Sequence, residues 1–131
     1  MARLFIDTMY LYRREHKFLI HSFVVMRNHF HLLLSPSEAD LPRAVQLIKG
    51  GFSYRAKKEL GVSFDIWERG YVDHRIRDAN DYDRHVEYID QNPVRAGFVV
   101  RPEEYPYSSA HPGFELDPCP RGLKPGASLA G

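Results

Sequence analysis

Apolar residues near the start of the chain fall at helical spacing. Leu4, Phe5, Met9, Leu11 and Tyr12 recur at such intervals before the charged stretch RREHK, which predicts a helix over 2–15. The period then changes from helical to strand-like. FLIHSFVVM, Phe18 to Met26, is rich in β-branched and aromatic residues and reads as a strand buried on both faces; after a tight turn near Arg27 and Asn28, HFHLLLS returns as the second arm of a hairpin. Leu41, Ala44, Val45, Ile48, Phe52, Ala56 and Leu60 then mark a long amphipathic helix. Gly50 and Gly51 interrupt its middle, at roughly 1 kcal/mol each relative to alanine, so a bend or a close backbone approach is expected there. FDIWERGYVDHRIR, from Phe64 to Arg77, reads as irregular extended chain followed by a strand centred on Tyr71 to Ile76. Asp78 is placed to cap a last helix, ANDYDRHVEYIDQN, which Pro93 should stop or kink. The predicted order is helix, strand, strand, helix, strand, helix.

Length and composition set the frame for this pattern. At 131 residues the chain is one domain, able to bury a modest core without disulfides, and its 44% hydrophobic and 27% charged residues are ordinary for a globular protein. No apolar run approaches the roughly 20 residues of a membrane span, and MARLFIDTMYLYRREH lacks the shape of a secretory signal, so a cytoplasmic location is the expectation. The single cysteine, Cys119, lies between two prolines and excludes both a disulfide framework and a CxxC metal knuckle. Any metal must be held by histidine and oxygen ligands. From His111 onward, eight of twenty-one residues are Gly or Pro, which predicts an extended or disordered tail; the folded domain is expected over 1–112 and the tail over 113–131.

Net charge is only +1, but its distribution is uneven. Residues 41–60 carry Arg43, Lys49, Arg55, Lys57 and Lys58 against Glu59 alone, whereas 61–100 hold eight carboxylates against five arginines. A locally basic helix in a near-neutral chain is either a solvated face or a surface for a polyanion.

The chemistry concentrates in two places. In "MRNHFHLLLSP", side-chain alternation along a strand puts His29 and His31 on one face and Phe30, Leu32 and Leu34 on the other. Two imidazoles on one strand face form a metal site or lie side by side by accident. On the last predicted helix, His85, Tyr88 and Asn92 follow at i, i+3 and i+7 and share a face, while Val86 and Ile89 turn elsewhere. Tyr88 can serve as nucleophile or acid, and the Asn92 amide oxygen is a hard ligand that suits Mg²⁺ or Mn²⁺ beside imidazole. Each signal also has an ordinary explanation. Helical tyrosines usually pack, and Asn before Pro is a common way to end a helix. Trp67 and the tyrosines of "YPYSS" read as packing residues whose faces could stack on unpaired bases.

Taken together, "VVMRNHFHLLLSP", "GYVDHRIRDANDYDRHVEYIDQNPVRAG" and "YPYSSA" resemble the REP-associated tyrosine transposases, relatives of the small single-tyrosine, IS200-like transposases within the HUH nuclease superfamily. The resemblance runs from about Ala2 to Pro112 and places three separated motifs in the family's order. It implies an α+β fold: a ferredoxin-like, RRM-like antiparallel sheet, with the tyrosine helix over the metal face. It also implies metal-dependent cleavage and joining of single-stranded DNA through a 5′-phosphotyrosine, as in transposition at hairpin-forming palindromes. Carried over by position, His29 and His31 match the metal ligands, Asn92 the polar residue that completes the site for Mg²⁺ or Mn²⁺, and Tyr88 the catalytic tyrosine. His74 matches a position near the site. Lys49, Arg55, Lys57 and Lys58, with His74 and Arg77, are the candidate contacts to single-stranded or hairpin DNA.

Two departures carry expectations. Arg27 stands where family members usually have proline. The family's first strand, central in the sheet, has no counterpart ahead of MARLF, so the HUH strand should present an unpaired edge. The chain is then expected to be truncated or mis-started, to borrow another segment, or to pair strands, as a monomer or a strand-paired homodimer. A truncated, catalytically weak DNA-binding relative and a histidine-metal hydrolase of other phosphate esters are the competing readings.

Overall fold

A computed structural model describes residues 1–27, 29–61, 72–119 and 127–130. The expected elements are present in the expected order: α1 (Ala2–Arg14), β1 (Phe18–Val25), β2 (Phe30–Pro36), α2 (Leu41–Arg55), β3 (Val72–Arg75) and α3 (Ala79–Arg95). One strand was not anticipated, β4 (Ala127–Ala130). Asn28, Trp67 and the extended reading of 64–71 lie outside the described residues. Among the described residues, no helix is long and apolar enough to cross a membrane.

The sheet is antiparallel with strand order β1-β2-β4-β3. Its two faces are covered differently. Phe18, Ile20, Phe23 and Val25 of β1 join Phe30, Leu32 and Leu34 of β2 in the main core, beneath Phe5, Ile6 and Met9 of α1 and Val45, Ile48 and Phe52 of α2. On the opposite face Val24, Met26 and Leu33 meet Ile76 and Ile89, the latter from α3. That β1 contributes Phe18 and Ile20 and then Phe23 and Val25 to one core means its alternation slips by one residue. The slip is a bulge between Ile20 and Ser22. The displaced His21 is buried and satisfied, with Nε2 2.6 Å from Ser35 Oγ and Nδ1 2.9 Å from the Asp117 carbonyl.

The glycine pair does not interrupt α2. The helix runs through Gly50 and Gly51 and changes only at a wider π-helical turn, Ala56–Leu60. Close approach is the reason for one glycine only: a Cβ on Gly51 would stand 2.7 Å from Tyr12 Oη and 3.0 Å from Thr8 Cγ2, whereas one on Gly50 would meet nothing within 4 Å. Of the two outcomes expected at Pro93, a stop is not seen: the helix continues to Arg95. Proline in the last turn forfeits only its own N–H, and the closing carbonyls of Asn92, Pro93 and Val94 accept from Ala96, Phe98 and Gly97, where φ of +81° turns the chain out.

The unpaired edge expected on β2 is not present. β4 lies against His31–Leu34 of β2 on one side and Val72–Arg75 of β3 on the other, so the chain's own C-terminal segment is the one borrowed. The outer edge of β1 is covered too. Val25 N–H donates to the Tyr107 carbonyl, Ser109 N–H to the Phe23 carbonyl and Ile20 N–H to Asp117 Oδ2. Phe114 packs on Tyr10 and Phe23, and Asp117 forms a two-pronged ion pair with Arg13 at 2.9 and 3.0 Å. Residues 114–119 carry no regular secondary structure; a boundary at Pro112 would part Phe114 and Asp117 from their partners on α1 and β1, and β4 from the sheet.

Candidate active site

The hairpin register sets the first half of the site. His31 stands opposite Val24, on the face that carries Leu33, and His29 precedes β2 on the same side; the two rings lie 5.5 Å apart at 81°. The turn that presents them is closed by Met26 N–H donating to the His29 carbonyl at 2.8 Å.

Helix α3 supplies the second half. Asp78 caps it by accepting from Asp81 N–H at 2.8 Å, and Tyr82, Val86 and Ile89 form the stripe that seats it on the sheet. Burying Ile89 alone contributes about 2 kcal/mol to that seating. With the stripe fixed, Tyr88 and Asn92 of the neighbouring row meet the histidine pair, while His85, a turn earlier, lies against Asp81 and His74 instead. The Tyr88 ring lies edge-on to His31 at 5.3 Å, and Asn92 Oδ1 is 3.4 Å from His29 Nε2, two residues 63 positions apart in sequence. Tyr88 is 51% exposed and Asn92 only 9%, so the hydroxyl-bearing ring is open to an incoming molecule while the amide is held in place.

Electrostatics favour a neutral imidazole at this point. Burial, with smaller contributions from His29 and Arg95, pulls the His31 pKa down to about 4. Arg95 is the residue that sequence reasoning missed. Its guanidinium lies 4.3 Å over the Tyr88 ring and donates to the Tyr88 carbonyl at 2.8 Å, so a positive charge sits beside the phenol. Its spacing, two helical turns beyond Tyr88, was the available signal. Neither acidic neighbour of Tyr88 joins the group: Glu87 is exposed, and Asp90 is partly buried with its pKa raised by desolvation.

Beside His29, a cavity of about 390 Å³ is lined by Val25, Met26, Phe30, Phe52, Tyr105 and Tyr107, which brings the tyrosines of "YPYSS" to the edge of the site. Tyr105 is held there by donating to the Val25 carbonyl at 2.9 Å.

The candidate DNA contacts divide into two groups. Lys49, Arg55, Lys57 and Lys58 belong to α2 and its π-helical turn, on the face of the sheet away from α3. Arg55 pairs with Glu59 at 3.2 Å, reaches Thr8 Oγ1 at 3.3 Å, and shares with Arg3, Arg13 and Arg14 a basic cleft of about 620 Å³. His74 and Arg77 lie instead on the side of α3, against Asp81. The backbone N–H of Arg77 is the chief reason that the Asp81 carboxyl is held down at about 2, with His74, His85 and the Arg77 charge adding to it against the opposing effect of burial.

Comparison with known proteins gives the family of the chain. Residues 4–92 match the family described as Transposase IS200 like. A REP-associated tyrosine transposase of Escherichia coli (strain K12) is 32% identical over 101 residues, covering 76% of this chain and 58% of that protein. A putative REP-associated tyrosine transposase of Haemophilus influenzae is 33% identical over 98 residues, covering 66% of this chain and 56% of its own length. Among solved structures, one described as the REP-associated tyrosine transposase bound to a REP hairpin matches with a TM-score of 0.66 at 26% identity, over 82% of this chain and 64% of that one. The chain thus spans a little over half the length of the curated relatives it matches.

Proposed function

Because this chain belongs to the IS200-like transposase family, we propose that it cleaves and rejoins single-stranded DNA next to hairpins, with Tyr88 as the nucleophile. The observation that carries the reading is the convergence of two distant motifs: Tyr88 against His31 and Asn92 against His29 on one sheet face. The sheet itself we read as ferredoxin-like, with α1 and α2 on one face, α3 on the other, and β4 in the central slot beside β2.

The donor set fits a divalent cation. His29 and His31 offer imidazole nitrogens, Asn92 a buried amide oxygen, and the depressed pKa of His31 keeps its ring a ligand at neutral pH. These three residues would hold Mg²⁺ or Mn²⁺, which supplies charge neutralisation and orientation at the scissile phosphate. The chain's own groups do the rest. The Tyr88 oxygen attacks phosphorus and gives up its proton; the P–O3′ bond breaks, leaving a 5′-phosphotyrosine, and the departing oxygen is protonated to a 3′-OH. Because the phosphoryl bond is retained on the protein, rejoining by a 3′-OH needs no ATP. Arg95, stacked on the ring, faces the charge of an incoming phosphate. Tyr105 and Tyr107, lining the cavity at His29, offer faces for an unpaired base at the cleavage position. The basic set on α2 reaches the DNA backbone away from the reacting atoms.

A Tyr88→Phe variant tests the assignment. It should bind a labelled hairpin with a single-stranded flank as the parent does and leave it uncut, since only the hydroxyl is removed. Undiminished cleavage would move the nucleophile elsewhere, and binding without cleavage by the parent would reduce the chain to a DNA-binding relative.

A further inference from the structure

A second cluster of ligating groups lies near the start of α3, apart from the His29, His31 and Asn92 set. Asp81 and His85 stand at i and i+4 on the helix, and His74 reaches across from β3. Their ligating atoms lie within 4.8 Å of one another, the one such group of His, Cys, Asp or Glu among the described residues. His85 Nε2 is 3.3 Å from Asp81 Oδ1 and His74 Nε2 is 3.4 Å from Asp81 Oδ2.

Those spacings decide between two uses of the cluster. A charge-assisted hydrogen bond from imidazole to carboxylate closes to about 2.8 Å, and neither contact does so. Two nitrogen or oxygen ligands held about 2.0 to 2.1 Å from a tetrahedral ion stand about 3.3 Å apart, which is the spacing of His85 Nε2 from Oδ1; His74 faces the other oxygen, Oδ2, so the carboxylate would turn to offer one oxygen to an ion between both rings. The two rings are stacked at 4.6 Å and 29°, with the Nε2 of each beside a different oxygen of the same carboxylate. Asp81 is already held in place as a ligand, since its side chain is only 4% exposed and its Oδ2 accepts the Arg77 N–H at 3.0 Å. The guanidinium groups of Arg77 and Arg84, 3.6 and 3.4 Å from the carboxylate, oppose a cation but sit on mostly exposed side chains that can turn away. His74 is half exposed, which leaves the fourth position of a tetrahedron open to water.

We propose that His74, Asp81 and His85 form a second metal site, of the zinc class, that fastens β3 to α3. The ion is distinct in ligands and role from the one at His29 and His31. By tying the end of β3 to the first turns of the helix that carries Tyr88 and Asn92, it fixes the tilt of that helix on the sheet.

Cobalt(II) titration of the full chain, after EDTA treatment, separates the two sites, because tetrahedral Co²⁺ absorbs strongly in the visible. The parent and a His29→Ala/His31→Ala double variant should both develop the band with one equivalent of Co²⁺ and lose it to one equivalent of Zn²⁺. His74→Ala and His85→Gln should not. Zn²⁺ should also raise the Tm of the parent and the double variant but not of His74→Ala. That last variant removes a half-exposed ring, and its Tm in EDTA reports whether it is folded. A band of parental intensity in both His74→Ala and His85→Gln, no band in the parent, or loss of the band in the double variant alone would overturn the proposal.

Discussion

Acidification should destabilise the metal-free protein through His31, and the size of the effect follows from where the ring sits. In the unfolded chain the imidazole titrates near 6.5; in the folded chain burial, His29 and Arg95 lower it to about 4. Above 6.5 both states hold it neutral and the group leaves stability unchanged. As pH falls from 6.5 towards 4, the unfolded chain takes up the proton first and the folded state loses ground; below 4 the loss is complete. A depression of this size corresponds to about 3 kcal/mol at full effect, which partial exposure of the ring reduces to about 1 to 2 kcal/mol. The assay is urea denaturation in EDTA across pH 4 to 8, on the parent and on His31→Gln, which keeps a polar side chain but cannot titrate. The stability of the variant relative to the parent should rise by that amount between pH 7 and pH 4. Parallel curves for the two proteins would refute the buried, neutral His31.

Gly50→Ala should stabilise the protein by about 0.5 to 1 kcal/mol through helix propensity, whereas Gly51→Ala should destabilise it, because its Cβ meets Tyr12 and the buried Thr8; thermal unfolding of the pair reads the difference. Deleting residues 118–131 should lower the Tm and broaden the transition, since β4 is removed from between β2 and β3 and each backbone group left buried without a partner costs about 1 to 3 kcal/mol. Charge reversal at Arg55, Lys57 and Lys58 should weaken binding to single-stranded DNA and flatten its dependence on salt, with cleavage position unchanged; equal affinity in titrations by fluorescence anisotropy would detach α2 from the DNA.

The elements and the two halves of the site were legible because each rests on local periodicity. His29 and His31 are related by a two-residue strand repeat, and Tyr88 and Asn92 by one helical turn, so each pair can be placed on a face without knowing the fold. What joins the pairs was not legible from spacing alone. It depends on the bulge at His21, which shifts the phase of β1, and on Ile89 seating α3 opposite that core; only the family resemblance brought Tyr88 to the histidines beforehand. The need for a strand beside β2 was legible, but ASLA has no strand pattern strong enough to nominate itself, and Gly- and Pro-rich flanks suggested a loose tail. Arg95 went unnoticed because a basic residue in the last turn of a helix ordinarily needs no explanation beyond the helix dipole.

The central claim is that Tyr88 becomes joined to DNA. Incubating the full chain with Mn²⁺ and a hairpin oligonucleotide carrying a single-stranded flank, then digesting and sequencing the adduct by mass spectrometry, measures this directly. The account predicts a 5′-phosphorylated nucleotide on the Tyr88 peptide, with a free 3′-OH on the released fragment and no adduct in Tyr88→Phe. An adduct on Tyr82 or another residue, or cleavage with no covalent intermediate, would contradict it.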